Sequence, residues 1–196
     1  GQGLNTKMAQ VAADGLGIPF SLVRVTGTDS QKVPNASATS ASSGADINGG
    51  AIMNACQQLR ERLAPVAARR LGCEASVVRF EGGFAVAGAS GEKLAWPDLC
   101  KQAWLDRVGL SVTGFYMTPF IQYDFATLQG KAFYYYCYGA SVTEVEIDTR
   151  TGEWWLKAVD IVHDVGRSIN PAIDMGQIEG AYVQGMGWLT MEECIW

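Results

Sequence analysis

At 196 residues the chain is long enough to bury a substantial core, as one large domain or two small lobes. Its 48% hydrophobic and 18% charged content is that of a well-buried globular protein, and a formal net charge of -5 with no basic stripe argues against a nucleic-acid partner. No apolar run is long enough to span a bilayer. The five cysteines, Cys56, Cys73, Cys100, Cys137 and Cys194, are scattered and form no C-x-x-C pair. They argue against a disulfide framework, a zinc site or an iron–sulfur cluster within the chain, and a reducing, cytoplasmic compartment is expected. His163 is the single histidine, which excludes a multi-histidine metal site; no G-x-S-x-G elbow or Walker loop occurs. The chain starts Gly-Gln-Gly without Met and ends Glu-Glu-Cys-Ile-Trp, so it reads as cut from something larger.

The first predicted element is a short helix. Leu4, Met8, Val11 and Ala12 form its stripe, and Gly15 and Gly17 end it. After Pro19, Ser21 to Thr26 reads as a strand, and a polar loop follows. Pro34 to Gly50 has almost no bulk: Ala, Ser, Thr and Gly dominate, so backbone can approach a ligand closely. The apolar recurrence of Ile47, Ala51, Ile52, Ala55, Leu59, Leu63 and Val66 predicts a long helix from Asp46 to about Arg70, kinked or broken at Pro65. Its Gln57, Arg60, Glu61, Arg69 and Arg70 read as a solvated face.

Val77 to Phe80 and Phe84 to Val86 predict a hairpin around Gly82-Gly83. Pro97 suits the first turn of a helix running to about Val108, and Leu110 to Tyr116 reads as a strand ended by Pro119. The aromatic run Phe133 to Tyr138 opens a long strand to Asp148, its aromatic side chains in the core or on a sheet face. A turn then leads to a second strand, Trp154 to Val162. Asn170-Pro171 caps and starts the last helix, whose glycines imply close packing or close ligand approach. Helices and strands mix without strict alternation, so the fold class is α+β. No internal repeat stands out.

Gly1-Gln2-Gly3, Thr39 to Gly44 and Gly176-Gln177 share one character: small residues beside neutral hydrogen-bonding groups. A small-residue loop entering a helix N-terminus aims unpaired N–H groups outward and favours anions. Such a set suits a large polar ligand, not a catalytic triad or a protein-ligated metal. The bland reading of each is a flexible Ser/Ala loop or a surface amide. His163 and Asp164 are adjacent on a strand and so point to opposite faces, which favours a structural role. Glu144 and Glu146 share a strand face and read as a solvated edge.

Four segments carry a resemblance: Gly-Gln-Gly-Leu-Asn-Thr-Lys-Met (1–8), Val-Pro-Asn-Ala-Ser-Ala-Thr-Ser-Ala-Ser-Ser-Gly-Ala-Asp (33–46), Leu-Ser-Val-Thr-Gly-Phe-Tyr (110–116) and the long motif from Asp164 to Gly185. In this order they resemble the molybdenum-binding subunit of bacterial xanthine dehydrogenase, a molybdenum hydroxylase. The resemblance implies that residues 1–196 are a fragment of the second molybdopterin-binding lobe, with mixed sheets and long packed helices, divided into subdomains near 72–110. It implies a molybdenum–molybdopterin cofactor whose metal is held by the pterin dithiolene, with no protein ligand. Gly1, Gln2, Thr39, Ser42, Ser43, Gly44 and Gln177 would contact the cofactor. Ala41 and Ser40 would line the substrate pocket; Ser40 departs from the alanine frequent in the family and bears on substrate preference.

No catalytic residue is expected in the chain, because the family's general-base glutamate lies in a Gly-Glu-Pro-Pro segment beyond its end. By resemblance the whole enzyme hydroxylates a purine, hypoxanthine or xanthine, with water as oxygen source. Electrons would pass through 2Fe-2S clusters and FAD to NAD. Implied partners are the remaining molybdopterin lobe, an FAD and iron–sulfur subunit or domain, and further copies in a homo- or hetero-oligomer. Two alternatives stand: a molybdenum hydroxylase acting on an aldehyde, nicotinate or another purine, or a structural or assembly domain without cofactor.

Overall fold

A computed structural model describes residues 2–27, 29, 31–32, 39, 43–88 and 90–195. The chain forms two units, Gly3–Thr118 and, together with Gln2, Pro119–Trp196. The class is α+β, with four helices and three small sheets among the described residues. Every strand pairing among the described residues is antiparallel, so the sheets are not mixed.

Helix α1 (Leu4–Leu16) buries Met8, Ala9 and Ala13 and ends at Gly17, whose N–H bonds back to Asp14. The strand expected over 21–26 is absent. Pro19 starts a short 3-10 turn, Phe20–Leu22, and residues 23–27 join no sheet among the described residues. β-propensity without a neighbouring strand does not make a sheet.

Helix α2 (Gly44–Leu71) runs unbroken through Pro65. Pro65 is exposed while Leu63, Val66, Ala67 and Ala68 are buried. Its ring therefore crowds the outer face, where water can satisfy the carbonyl left without an N–H partner. Strands β1 (Val78–Glu81) and β2 (Phe84–Ala87) form the expected hairpin, and Gly82 and Gly83 turn it at φ 59° and 86°. A third strand, β3 (Lys93–Ala95), pairs with β2; three residues are too few to show alternation in the sequence.

Helix α3 (Trp96–Leu105) stops short of Val108, because Arg107 turns left-handed at φ 58° and the Val108 N–H closes on the Ala103 carbonyl. Leu63, Val66 and Ala67 of α2, Phe80 and Ala85 of the sheet, and Leu99 and Ala103 of α3 make the core. Residues 110–116 form no strand; α2 holds them instead, as described below.

In the second unit, β4 (Gln122–Asp124) and β5 (Gln129–Lys131) form a small hairpin that the sequence reading lacks. The aromatic run lies outside any strand. Strand β6 (Gly139–Ile147) starts after it and pairs with β7 (Trp154–His163). Phe133, Tyr135, Tyr136 and Tyr138 are all at least half exposed, so they are not core residues within this unit. Helix α4 (Pro171–Thr190) starts as expected, with Asn170 Oδ1 accepting from the Ile173 N–H at 3.1 Å. Among the described residues every buried hydrophobic lies between Met8 and Ala103.

Candidate functional site

Helices α1 and α2 pack side by side in parallel. A methyl placed on Gly44 would lie 2.8 Å from Leu4 Cδ2, and one on Gly49 would lie 3.8 Å from Met8 Cε. Further along, Cys56 Sγ sits 3.9 Å from the Ala12 carbonyl oxygen, and Arg60 Nη1 donates to the Gly15 carbonyl at 3.3 Å. The contacts advance in step, so both N-termini lie at the same end. Gly44 allows the approach, because a side chain there would meet Leu4.

Each helix presents about half a positive charge at its N-terminus. Parallel neighbours add these fields and repel one another unless an anion offsets them. Neither cap residue, Gly3 before α1 nor Ser43 before α2, makes a side-chain cap hydrogen bond among the described residues, and Asp46 is the acidic residue in either turn. The arrangement suits a phosphate-bearing ligand held by backbone N–H groups.

The predicted site residues divide as follows. Gly44 opens α2, Ser43 is its cap residue, and Thr39 Cγ2 lies 3.2 Å from where a Gly44 methyl would be. Thr39 and Gly44 are thus together with Leu4, two segments far apart in sequence brought to one helix end. Gln2 and Gln177 are exposed residues of the second unit, Gln177 in the second turn of α4. Gly1, Ser40, Ala41 and Ser42 lie outside the described residues. Leu4 is legible in the sequence as the start of an apolar stripe, which says nothing of its partner.

The other candidates resolve into structural roles. His163 is exposed on β7 and its Nδ1 stands over Gly139, 2.8 Å from where a methyl would be. Asp164 turns away to accept the Gly166 N–H at 2.8 Å. Glu146 pairs with Lys157 at 2.8 Å on an exposed face. Part of the supposed solvated face of α2 is pinned: the Arg60 guanidinium lies 5.5 Å over the Phe80 ring, and Arg69 binds Asp106.

A groove of about 620 Å³ opens at the other end of the helix pair, lined by Met53, Cys56, Arg60 and Phe80, and holds none of the predicted residues. Burial pushes the Cys56 thiol up there, against the pull of Arg60, as befits a packing residue. No helix among the described residues is long and apolar enough to cross a membrane.

Comparison with known proteins identifies the family. The family model of the molybdopterin cofactor-binding domain matches residues 1–196. The chain is 44% identical over its whole length to a xanthine dehydrogenase of Oryza sativa subsp. japonica and 47% identical over 193 residues to the xanthine dehydrogenase/oxidase of Gallus gallus. It spans 13% of the length of each. Among solved structures, quinoline 2-oxidoreductase from Pseudomonas putida 86 covers the whole chain with a TM-score of 0.74 at 28% identity, the chain spanning 24% of it. A Cu,Mo-CO dehydrogenase covers 92% of the chain at a TM-score of 0.73, the chain spanning 22% of it; at 22% identity it shows the fold alone. A family match from the first residue to the last, and 44–47% identity to xanthine dehydrogenases over almost the whole chain, place this chain in the molybdopterin cofactor-binding domain family of xanthine dehydrogenase-like molybdenum hydroxylases.

Proposed function

We propose that the chain supplies one side of the molybdenum–molybdopterin site in an enzyme that hydroxylates a purine, xanthine or hypoxanthine. The observation that carries this is the shared end of the parallel helices α1 and α2, where Thr39 and Leu4 come together at Gly44. The cofactor, when bound, supplies the oxidation–reduction chemistry of its metal. The chain's residues hold and orient it. Backbone N–H groups and hydroxyls of Thr39, Ser42, Ser43 and Gly44 receive the pterin and its phosphate. Gly1 and Gln2 lie beside the metal's own ligands, and the Gln177 amide bonds to the pterin. Ala41 and Ser40 form a low wall that lets a flat ring approach.

The rest of the machinery belongs elsewhere in the intact enzyme: the base, the other molybdopterin lobe, 2Fe-2S clusters and FAD, with NAD as the acceptor. The enzyme works in the cytoplasm as an oligomer, and residues 1–196 are part of one lobe with subdomains divided near 72–110. Purine is favoured over other rings because identity to xanthine dehydrogenases is 44–47%, against 28% to quinoline 2-oxidoreductase. Ser40 supports the second reading, another nitrogen heterocycle, since it puts a hydroxyl in the wall.

The test is to purify the intact protein that carries this chain from cells making molybdopterin. Pterin content and turnover of xanthine, hypoxanthine, quinoline and nicotinate are then measured. Bound pterin with purine turnover is expected. Pterin with turnover of another ring alone would overturn the purine assignment, and a folded protein without pterin would overturn the cofactor assignment.

A further inference from the structure

Residues 109–116 run along α2 with no strand beside them among the described residues. Side chains one helical turn apart satisfy their backbone instead. Arg62 Nη1 donates to the Gly109 carbonyl at 3.1 Å and to the Ser111 carbonyl at 3.0 Å. Gln58 Nε2 donates to the Thr113 carbonyl at 3.3 Å, and Asn54 Oδ1 accepts from the Phe115 N–H at 3.2 Å. Asn54 Oδ1 also accepts from Gln58 Nε2 at 2.9 Å, which ties two rungs together. The rungs descend the helix as the segment advances, so the segment runs toward the N-terminal end of α2.

One turn beyond Asn54 the contact changes character. A methyl on Gly50 would lie 2.5 Å from the Tyr116 ring, and one on Gly114 would lie 1.9 Å from the Ala51 carbonyl oxygen. Ring and backbone therefore rest directly on the helix. The start of α2 carries Gly44, Gly49 and Gly50, and glycine is a poor helix former. Its own propensity does not hold this end. Leu4 and Met8 of α1 brace Gly44 and Gly49, while Gly114 and Tyr116 brace Ala51 and Gly50.

We propose that residues 109–116 are a strap that positions the cofactor end of α2. Arg62, Gln58 and Asn54 fasten it; Gly114 and Tyr116 deliver the pressure that keeps the glycine-rich first turns helical and their N–H groups aimed. These are positioning residues and touch no cofactor. The effect on the pterin rests on the functional reading above, whereas the effect on the helix end does not.

The experiment compares the intact protein with Asn54→Leu/Arg62→Ala, with Gly50→Ala, and with Asn54→Asp, which keeps the acceptor oxygen. Three quantities are read: hydrogen exchange of the Phe115 amide, exchange of amides 44–50, and molybdopterin retained through dialysis. In the double variant both sets of amides should exchange faster, and pterin affinity should fall about tenfold, the effect of losing roughly one hydrogen bond to the cofactor. Gly50→Ala should cause the same loss although alanine favours a helix, because it displaces Tyr116. Asn54→Asp should behave as the unaltered protein. The single Asn54→Leu variant serves if the double variant does not fold. Faster exchange at Phe115 with unchanged exchange at 44–50 would overturn the strap. If the unaltered protein holds no pterin, the functional reading fails, and exchange at 44–50 alone decides the strap.

Discussion

Gln177 and Ala41 make opposite demands of the same ligand. Gln177 offers an amide whose only expected use is a bond to the cofactor; in the chain its side chain is exposed on α4. Gln177→Ala in the intact protein should cost about 1–3 kcal/mol of cofactor binding, read as a fall in molybdenum content. Ala41→Leu should leave the metal content intact and obstruct a flat purine, read as lost turnover at full occupancy. Normal turnover in the second and full metal in the first would sink the residue assignments while leaving the family in place. A third residue governs acid sensitivity. Hydrogen bonds from Arg69 and then Gln102 hold the Asp106 carboxyl below its ordinary value of 3.8. A depressed folded value stabilises above the ordinary value and is lost as pH falls through the folded one. Asp106→Asn should therefore lower the melting temperature near neutrality, and the gap should close as the pH drops below about 4. A gap that stays constant with pH would show the pair to be idle.

At the scale of elements, two helix ends distinguish strain from collision. Gly17 ends α1 at φ +67°, and a methyl there would lie 2.0 Å from the Phe80 carbonyl oxygen. Its own carbonyl accepts the Gly83 N–H at 2.8 Å, so the helix end and the hairpin turn are locked together. Gly72 ends α2 at φ +64° with nothing within 4 Å. Gly72→Ala should cost about 1–2 kcal/mol of left-handed strain, whereas Gly17→Ala should add about 1–3 kcal/mol of overpacking. Equal losses in denaturant melts would count against the lock. Of the two expectations for the glycines of helix α4, close packing and close ligand approach, the chain bears on the first. A methyl on Gly176, Gly180 or Gly185 would meet nothing within 4 Å among the described residues, whereas one on Gly187 would lie 3.0 Å from Glu192 Oε1. In the chain alone, Gly180→Ala should therefore stabilise by about 0.8–1 kcal/mol. A loss of stability would reveal a contact at that face.

For the whole molecule, the contrast between the units sets behaviour in solution. The first has a core of Leu63, Val66, Phe80 and Leu99; the second exposes Phe125 at 84%, Tyr138 at 72% and Leu189 at 81%. Between α4 and the β6–β7 hairpin lies an apolar groove of about 530 Å³, with Val145, Trp154, Leu156 and Met186 in its walls. Apolar surface on this scale associates in water. Residues 1–196 alone should self-associate as concentration rises, by light scattering, and a compact monomer at high concentration would contradict this. Supplied with molybdenum cofactor, the same chain should show no xanthine-dependent dye reduction, because the general base is expected elsewhere. Turnover near that of an intact enzyme would relocate the catalytic machinery into these residues.

What residues 1–196 determined by sequence alone was local. The periodicity of α1 and α2, the Gly82-Gly83 turn and the Asn170-Pro171 start of α4 were legible, because each depends on neighbours within a few residues. The family, too, was legible from its motifs. Strands judged by propensity failed at 21–26, 110–116 and 133–138, because a strand exists only where a partner supplies its hydrogen bonds. Segment 110–116 found that partner in Arg62, Gln58 and Asn54, side chains that looked like ordinary polar positions of a helix. Only the tertiary structure decided that α1 and α2 lie parallel and bring Thr39, Gly44 and Leu4 to one end. Helix direction is a property of chain routing; no periodicity encodes it, yet the field at the site depends on it.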